Sequence, residues 1–139
     1  MTRLHMLVFA LVSSALLALP AAAATQDYNL TIARQTVMID GKARQKITVN
    51  GTIPGPVLHF TEGDDAVIHV TNHLDEDTSI HWHGMVLPAS QDGLPGFDGF
   101  AGIHPGETFT YRFPIKHSGT YWYHAHSMGQ EQDGLYSAI

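Results

Sequence analysis

From Tyr28 onward, apolar and β-branched residues recur at alternate positions over short stretches, and no stretch sustains a helical period. Strands are expected at Tyr28–Ile39, Gln45–Val49, Val57–Phe60, Ala66–Asn72, Ser79–His83, Thr108–Phe113, Gly119–His124 and Leu135–Ile139. Turn chemistry separates them: Asp40-Gly41, Asn50-Gly51, Pro54-Gly55-Pro56, Gly63-Asp64-Asp65, Pro105-Gly106 and Ser118-Gly119. Seven or eight short strands at this spacing predict an all-β, antiparallel Greek-key β-sandwich or barrel. The irregular segment Leu87–Ile103, rich in Gly, Pro and Asp, is expected to be an exposed crossover. Ser137-Ala138-Ile139 falls inside the last predicted strand, where a domain end usually carries further polar residues, so the chain is expected to be cut there.

The first residues break this pattern. A short basic head (Met1 to His5), an apolar run from Met6 to Leu19, then Pro20 and four alanines before Thr25 describe a secretory signal peptide over residues 1–24. A membrane anchor needs about 20 uninterrupted apolar residues, and Ser13, Ser14 and Pro20 interrupt this one. With Arg3 as its only basic residue, the leader fits the general secretion route. The expected location is the periplasm, with one domain over residues 25–139 and no membrane contact after leader removal.

The whole chain has seven Lys/Arg against thirteen Asp/Glu, and loss of Arg3 leaves six. That acidic balance argues against nucleic acid and anionic lipid as partners. Cysteine is absent, so no disulfide staples the fold and no thiolate can serve as a ligand.

Histidine is plentiful, with ten in the chain, four of them in two pairs. In Ser79-Ile80-His81-Trp82-His83-Gly84, residues two apart on a strand share a face, roughly 7 Å apart along the backbone. Tyr121-Trp122-Tyr123-His124-Ala125-His126 repeats the arrangement. If the two strands approach each other, four imidazoles converge. A lone pair of this kind is more often a surface feature than a metal site; two pairs interleaved with tryptophan are harder to dismiss. Imidazoles without cysteine suit copper, zinc or nickel, with copper preferred by the general affinity order. His59, His69, His73, His104 and His117 have no partner at ligand spacing, and Met38, Met85 and Met128 are scattered. The run Asp75-Glu76-Asp77 reads as a solvated loop. Trp82 and Trp122 are read as packing residues facing away from their flanking histidines, and Gly84 as the strand end beside the site.

At these residues the sequence resembles the multicopper oxidases. His81-Trp82-His83-Gly84 and Tyr121-Trp122-Tyr123-His124-Ala125-His126-Ser127 are similar to the first two copper motifs of that family. Its copper-resistance protein A branch is matched by Asn50-Gly51-Thr52-Ile53-Pro54-Gly55-Pro56, Asp75-Glu76-Asp77-Thr78-Ser79, Asp92-Gly93-Leu94-Pro95-Gly96, Phe100-Ala101-Gly102-Ile103 and Gln130-Glu131-Gln132. The resemblance runs from about Tyr28 to Tyr136. It implies a cupredoxin-like fold and an N-terminal domain that shares a trinuclear copper centre with a later domain. Carried over by position, His81 would ligate the type 2 copper, His83 and His124 one copper of the type 3 pair, and His126 the other. Asp92 falls where such oxidases keep an acid that relays protons; its plainer reading is a turn aspartate before glycine.

The same resemblance defines what the chain lacks. Substrate oxidation in the family uses a type 1 copper held by a cysteine and two histidines, and this chain has no cysteine. Without that cysteine and the other four cluster histidines, the chain alone is expected to be inactive. The expected partners are the C-terminal cupredoxin domains of the same parent chain, with dioxygen and Cu(I) or a phenolic substrate for the whole enzyme. Two other readings are a stand-alone periplasmic copper-sequestering protein and a Greek-key interaction module that binds no metal.

Overall fold

A computed structural model describes residues 22–139; the signal peptide expected over residues 1–24 lies almost wholly outside them. Seven strands follow in order: β1 (Thr25–Ile39), β2 (Lys42–Val49), β3 (Asp65–Asn72), β4 (His81–His83), β5 (Thr108–Pro114), β6 (Trp122–His124) and β7 (Tyr136–Ala138). One 3-10 turn, Ala89–Gln91, interrupts the crossover between β4 and β5. Four strands form a sheet in the order β2-β1-β3-β5, and three form a second in the order β4-β6-β7.

Strand β1 is long because it serves two neighbours. Its first half, Thr25 to Ile32, pairs with β3, and its second half, Ile32 to Ile39, pairs with β2. Asp40 and Gly41 both take positive φ, at 50° and 72°, as a tight hairpin between twisted strands requires. Only Leu30 and Ile32 of β1 are buried, and the outer half extends past the core with Met38 exposed.

Two expectations need correction. The strands are not all antiparallel, because β1 and β3 run parallel in register from Thr25↔Asp65 to Ile32↔Asn72. Side-chain alternation marks the faces of a strand, not its direction, so the pattern could not distinguish the two. Val57–Phe60 is extended but is not a strand. It lies along β7 through one backbone hydrogen bond, Leu58 N to Ala138 O (3.1 Å), with Gly55 N to Tyr136 O (3.0 Å) just before it. Pro54 and Pro56 remove two donors from that edge, so no continuous ladder forms.

The core lies between the sheets. Trp82 of β4 and Tyr123 of β6 face inward as a cross-strand pair and meet Tyr111 and Phe113 of β5. The Trp82 ring is 5.1 Å from Tyr111, 5.5 Å from Phe113 and 6.1 Å from Tyr123, centroid to centroid. Aromatic pairs in this range add about 0.5–1.5 kcal/mol each to the burial of their area. The Tyr111 hydroxyl accepts a hydrogen bond from Ile80 N–H (3.2 Å), which ties β5 to the residue preceding His81. Burial raises the Tyr111 phenol pKa far above its usual value, so the ring stays neutral.

The crossover is better anchored than its composition implies. Phe100 and Ile103 are buried, and Ile103 exchanges two backbone hydrogen bonds with Thr78 (3.0 and 2.8 Å). The Gln91 side chain accepts a bond from Arg112 N–H on β5 (2.7 Å). Among the described residues, no helix is long and apolar enough to cross a membrane.

Candidate metal centre

The alternation that sends Trp82 and Tyr123 into the core sends His81, His83 and His124 to the opposite face. Register sets the rest: His81 lies directly across from His124, and His83 across from Trp122. Gly84 follows at φ +84°, and Met85 N–H returns to Trp82 O (3.2 Å), so the chain leaves the strand where Gly84 was expected to end it. The His81 ring is 5.6 Å from His83, 5.4 Å from His124 and 5.6 Å from His126. His81, His83 and His124 each offer a nitrogen, and these atoms lie within 4.8 Å of one another. His126 sits two residues past β6, exposed, with its ring 6.0 Å from His124, and it does not join that tight group. Its backbone N–H donates to the Ser79 hydroxyl (3.0 Å), which in turn meets the Ser127 hydroxyl (2.9 Å).

Hydrogen bonds fix which ring nitrogen His81 and His124 can offer. His81 Nδ1 lies 2.9 Å from the Asp92 carbonyl and 3.2 Å from its carboxylate. Both are acceptors, so Nδ1 carries the hydrogen and Nε2 is the free donor atom. His124 Nδ1 faces the Ala125 carbonyl and the Glu131 carboxylate, each at 2.9 Å, with the same consequence. His83 Nδ1 lies 3.3 Å from His124 Nε2. Two imidazoles are therefore held with Nε2 lone pairs available. This donor set, imidazole nitrogens with neither thiolate nor carboxylate among them, fits copper.

Trp122 corrects the sequence reading. Two residues from His124 on the same strand, it shares the histidine face rather than opposing it. Its ring stacks on His124 at 4.1 Å with 21° between the planes, and it lies 5.0 Å from His83. The i, i+2 rule applied to Trp122 and His124 would have shown this. Trp82 faces away from its flanking histidines, as expected. Glu131 was visible only as part of the phrase Gln130-Glu131-Gln132, and no spacing rule links it to His124. The other histidines stay outside the cluster, but three are engaged. His69 meets the Thr110 hydroxyl through Nδ1 (2.9 Å). His117 accepts from Val86 N–H through Nε2 (2.9 Å) and meets the Tyr121 hydroxyl through Nδ1 (2.8 Å). His104 meets the Asp77 carboxylate (2.8 Å), so the acidic run is a loop with ion pairs.

Burial lowers the His124 pKa below the ordinary histidine value; the Ala125 carbonyl and Glu131 carboxylate oppose it, and charge on His81 and His83 adds to it. The unfolded chain then binds a proton at pH values where the folded chain does not. The stability associated with this group is complete above about pH 6.5 and is lost as pH falls below it. The melting temperature of the metal-free chain should fall as pH drops below about 6.5, and less steeply in His124→Gln. Parallel slopes for the two proteins would contradict this assignment.

A family model described as multicopper oxidase (Cu-oxidase_3) matches residues 31–139. The chain belongs to the multicopper oxidase family. It is 53% identical over 125 residues to copper resistance protein A of Escherichia coli, covering 88% of this chain and 20% of that protein. A copper resistance protein A homolog of Pseudomonas syringae pv. tomato is 51% identical over 113 residues, which cover 81% of this chain and 19% of the relative. Among solved structures, a multicopper oxidase from Pseudomonas thermotolerans superposes with a TM-score of 0.79 at 35% identity, covering 84% of this chain and 29% of that one. The laccase from Botrytis aclada gives 0.78 at 42%, covering 85% and 22%. The cupredoxin-like fold and copper as the family's metal follow from these likenesses. The chain spans about a fifth of the length of the curated relatives it matches.

Proposed function

We propose that this chain is the N-terminal cupredoxin domain, residues 25–139, of a periplasmic copper-resistance oxidase, and that it supplies one half of a trinuclear copper centre. The observation that carries the reading is the convergence of His81, His83 and His124 nitrogens within 4.8 Å on one face of a three-stranded sheet. In this reading His81 ligates the type 2 copper, His83 and His124 one type 3 copper, and His126 the other. The exposed position of His126 suits a ligand that is completed by a facing domain.

Copper bound there would supply one-electron redox chemistry and an oxygen-binding metal, which no side chain of this chain provides. The protein's own contribution is placement. Strand register sets the His81–His124 pair, Asp92 and Ala125 hold the Nδ1 hydrogens, and Trp122 covers one face of His124. Asp92 is the candidate proton relay, and its carboxylate is half-buried against His81.

The whole protein would couple oxidation of Cu(I) or a phenolic substrate to reduction of dioxygen. The cysteine for a type 1 copper and four further histidines would come from C-terminal cupredoxin domains of the same parent. The names of the relatives, copper resistance proteins and laccases, favour this oxidase reading over copper sequestration. Copper-loaded chain given a phenolic substrate should consume no oxygen above a copper-matched blank. Turnover by the chain alone would refute the half-site reading.

A further inference from the structure

We propose that Glu131 is a positioning residue that locks His124 in the Nδ1–H tautomer and so presents Nε2 to the metal; this rests on the copper reading above. The Glu131 carboxylate oxygen lies 2.9 Å from His124 Nδ1. The Ala125 carbonyl lies at the same distance from that nitrogen. A carbonyl alone makes an ordinary hydrogen bond, whereas a carboxylate makes a charge-assisted one, about twice as strong. Such outer partners of a ligating histidine fix its orientation and raise its basicity.

Three features separate this contact from a chance surface pair. The first is shielding: the side chains are 7% and 34% exposed, so solvent screens the contact less than an open surface pair. The second is an absence of competition. Among the described residues, no Lys or Arg lies within 4 Å of the Glu131 carboxylate, whereas Asp133 on the same turn is occupied by Arg34 and Lys46. The third is a rigid mount. Buried Gln130 accepts from the Thr78 hydroxyl (2.7 Å) and donates to the Asp77 carbonyl (2.9 Å), and its own carbonyl receives Leu135 N–H (3.0 Å). Glu131 is therefore carried at a fixed offset from β6. With Trp122 stacked on the face of His124 and Glu131 at its edge, the ring is held against both rotation and tautomer exchange.

The test uses the metal-free chain and two variants that keep the side-chain length. Glu131→Met removes both oxygens, and Glu131→Gln keeps one acceptor. Nitrogen-15 imidazole NMR reads the His124 tautomer, and competition with a chromophoric chelator reads Cu(II) affinity. Wild type should hold the Nδ1–H form, and Glu131→Met should show a mixture with Cu(II) binding weakened about 10-fold or more. Glu131→Gln should recover most of the tautomer and part of the affinity. A Glu131→Met chain with wild-type tautomer and wild-type affinity would overturn the proposal. If the tautomer shifts while none of the proteins binds Cu(II), the positioning role stands and the copper reading fails.

Discussion

Replacing His83 and His124 together by alanine should weaken Cu(II) binding by more than about 100-fold, since loss of outer-shell partners alone costs about 10–100-fold. These two residues contribute two of the three nitrogens that lie within 4.8 Å of one another. The matched control is a double replacement of His59 and His73, both exposed and outside the cluster, which should leave affinity within about 2-fold. His117 is unsuitable as a control, because its ring holds Val86 N–H and the Tyr121 hydroxyl close to the end of β4. Chelator competition reads both variants, with circular dichroism to verify folding, because His124 is itself buried. Equal losses in the two double variants would contradict the ligand assignment.

The second large effect is one of backbone geometry. Gly93 has φ +72°, and a Cβ added there would sit 1.8 Å from the Ile80 carbonyl oxygen and 2.7 Å from its carbon. Ile80 is fully buried and leads directly into His81, so this backbone cannot move aside cheaply. Gly93→Ala should destabilise the chain by more than about 3 kcal/mol, combining left-handed strain with overlap. For a domain of this size that lowers the melting temperature by more than about 10 °C. Gly96→Ala is the comparison, at φ +83° with nothing within 4 Å, and it should carry only the conformational cost of roughly 1–2 kcal/mol. Equal melting temperatures for the two variants would remove the overlap from the explanation. Because Gly93 follows Asp92, its displacement also pulls the Asp92 oxygens from His81 Nδ1, and copper affinity should fall with stability.

The site was legible in the sequence to the extent that strand periodicity governs it. Two histidines at i and i+2 on each of two strands predict a shared face, and the observed register, His81 opposite His124, supplies the convergence. Asp40-Gly41 gave the hairpin for a local reason, since both residues tolerate positive φ. What the pattern missed depends on contacts between distant segments. The parallel pairing of β1 with β3 leaves no mark in alternation. The prolines beside Val57–Phe60 signal a broken edge, but the expected strand there rested on its apolar residues alone. Glu131 reaches His124 from a turn seven residues further on, and its position depends on Gln130 being held by Thr78 and Asp77. Trp122 is a different case, because the periodicity rule that placed the histidines also placed it beside them.

The central claim, that one face of the β4-β6-β7 sheet holds copper, is tested most directly by anomalous scattering at the copper edge from crystals of the copper-loaded chain. The account predicts a peak within bonding distance of nitrogens of His81, His83 and His124. Copper found only at other sites, such as the exposed His104–Asp77 pair, would contradict it.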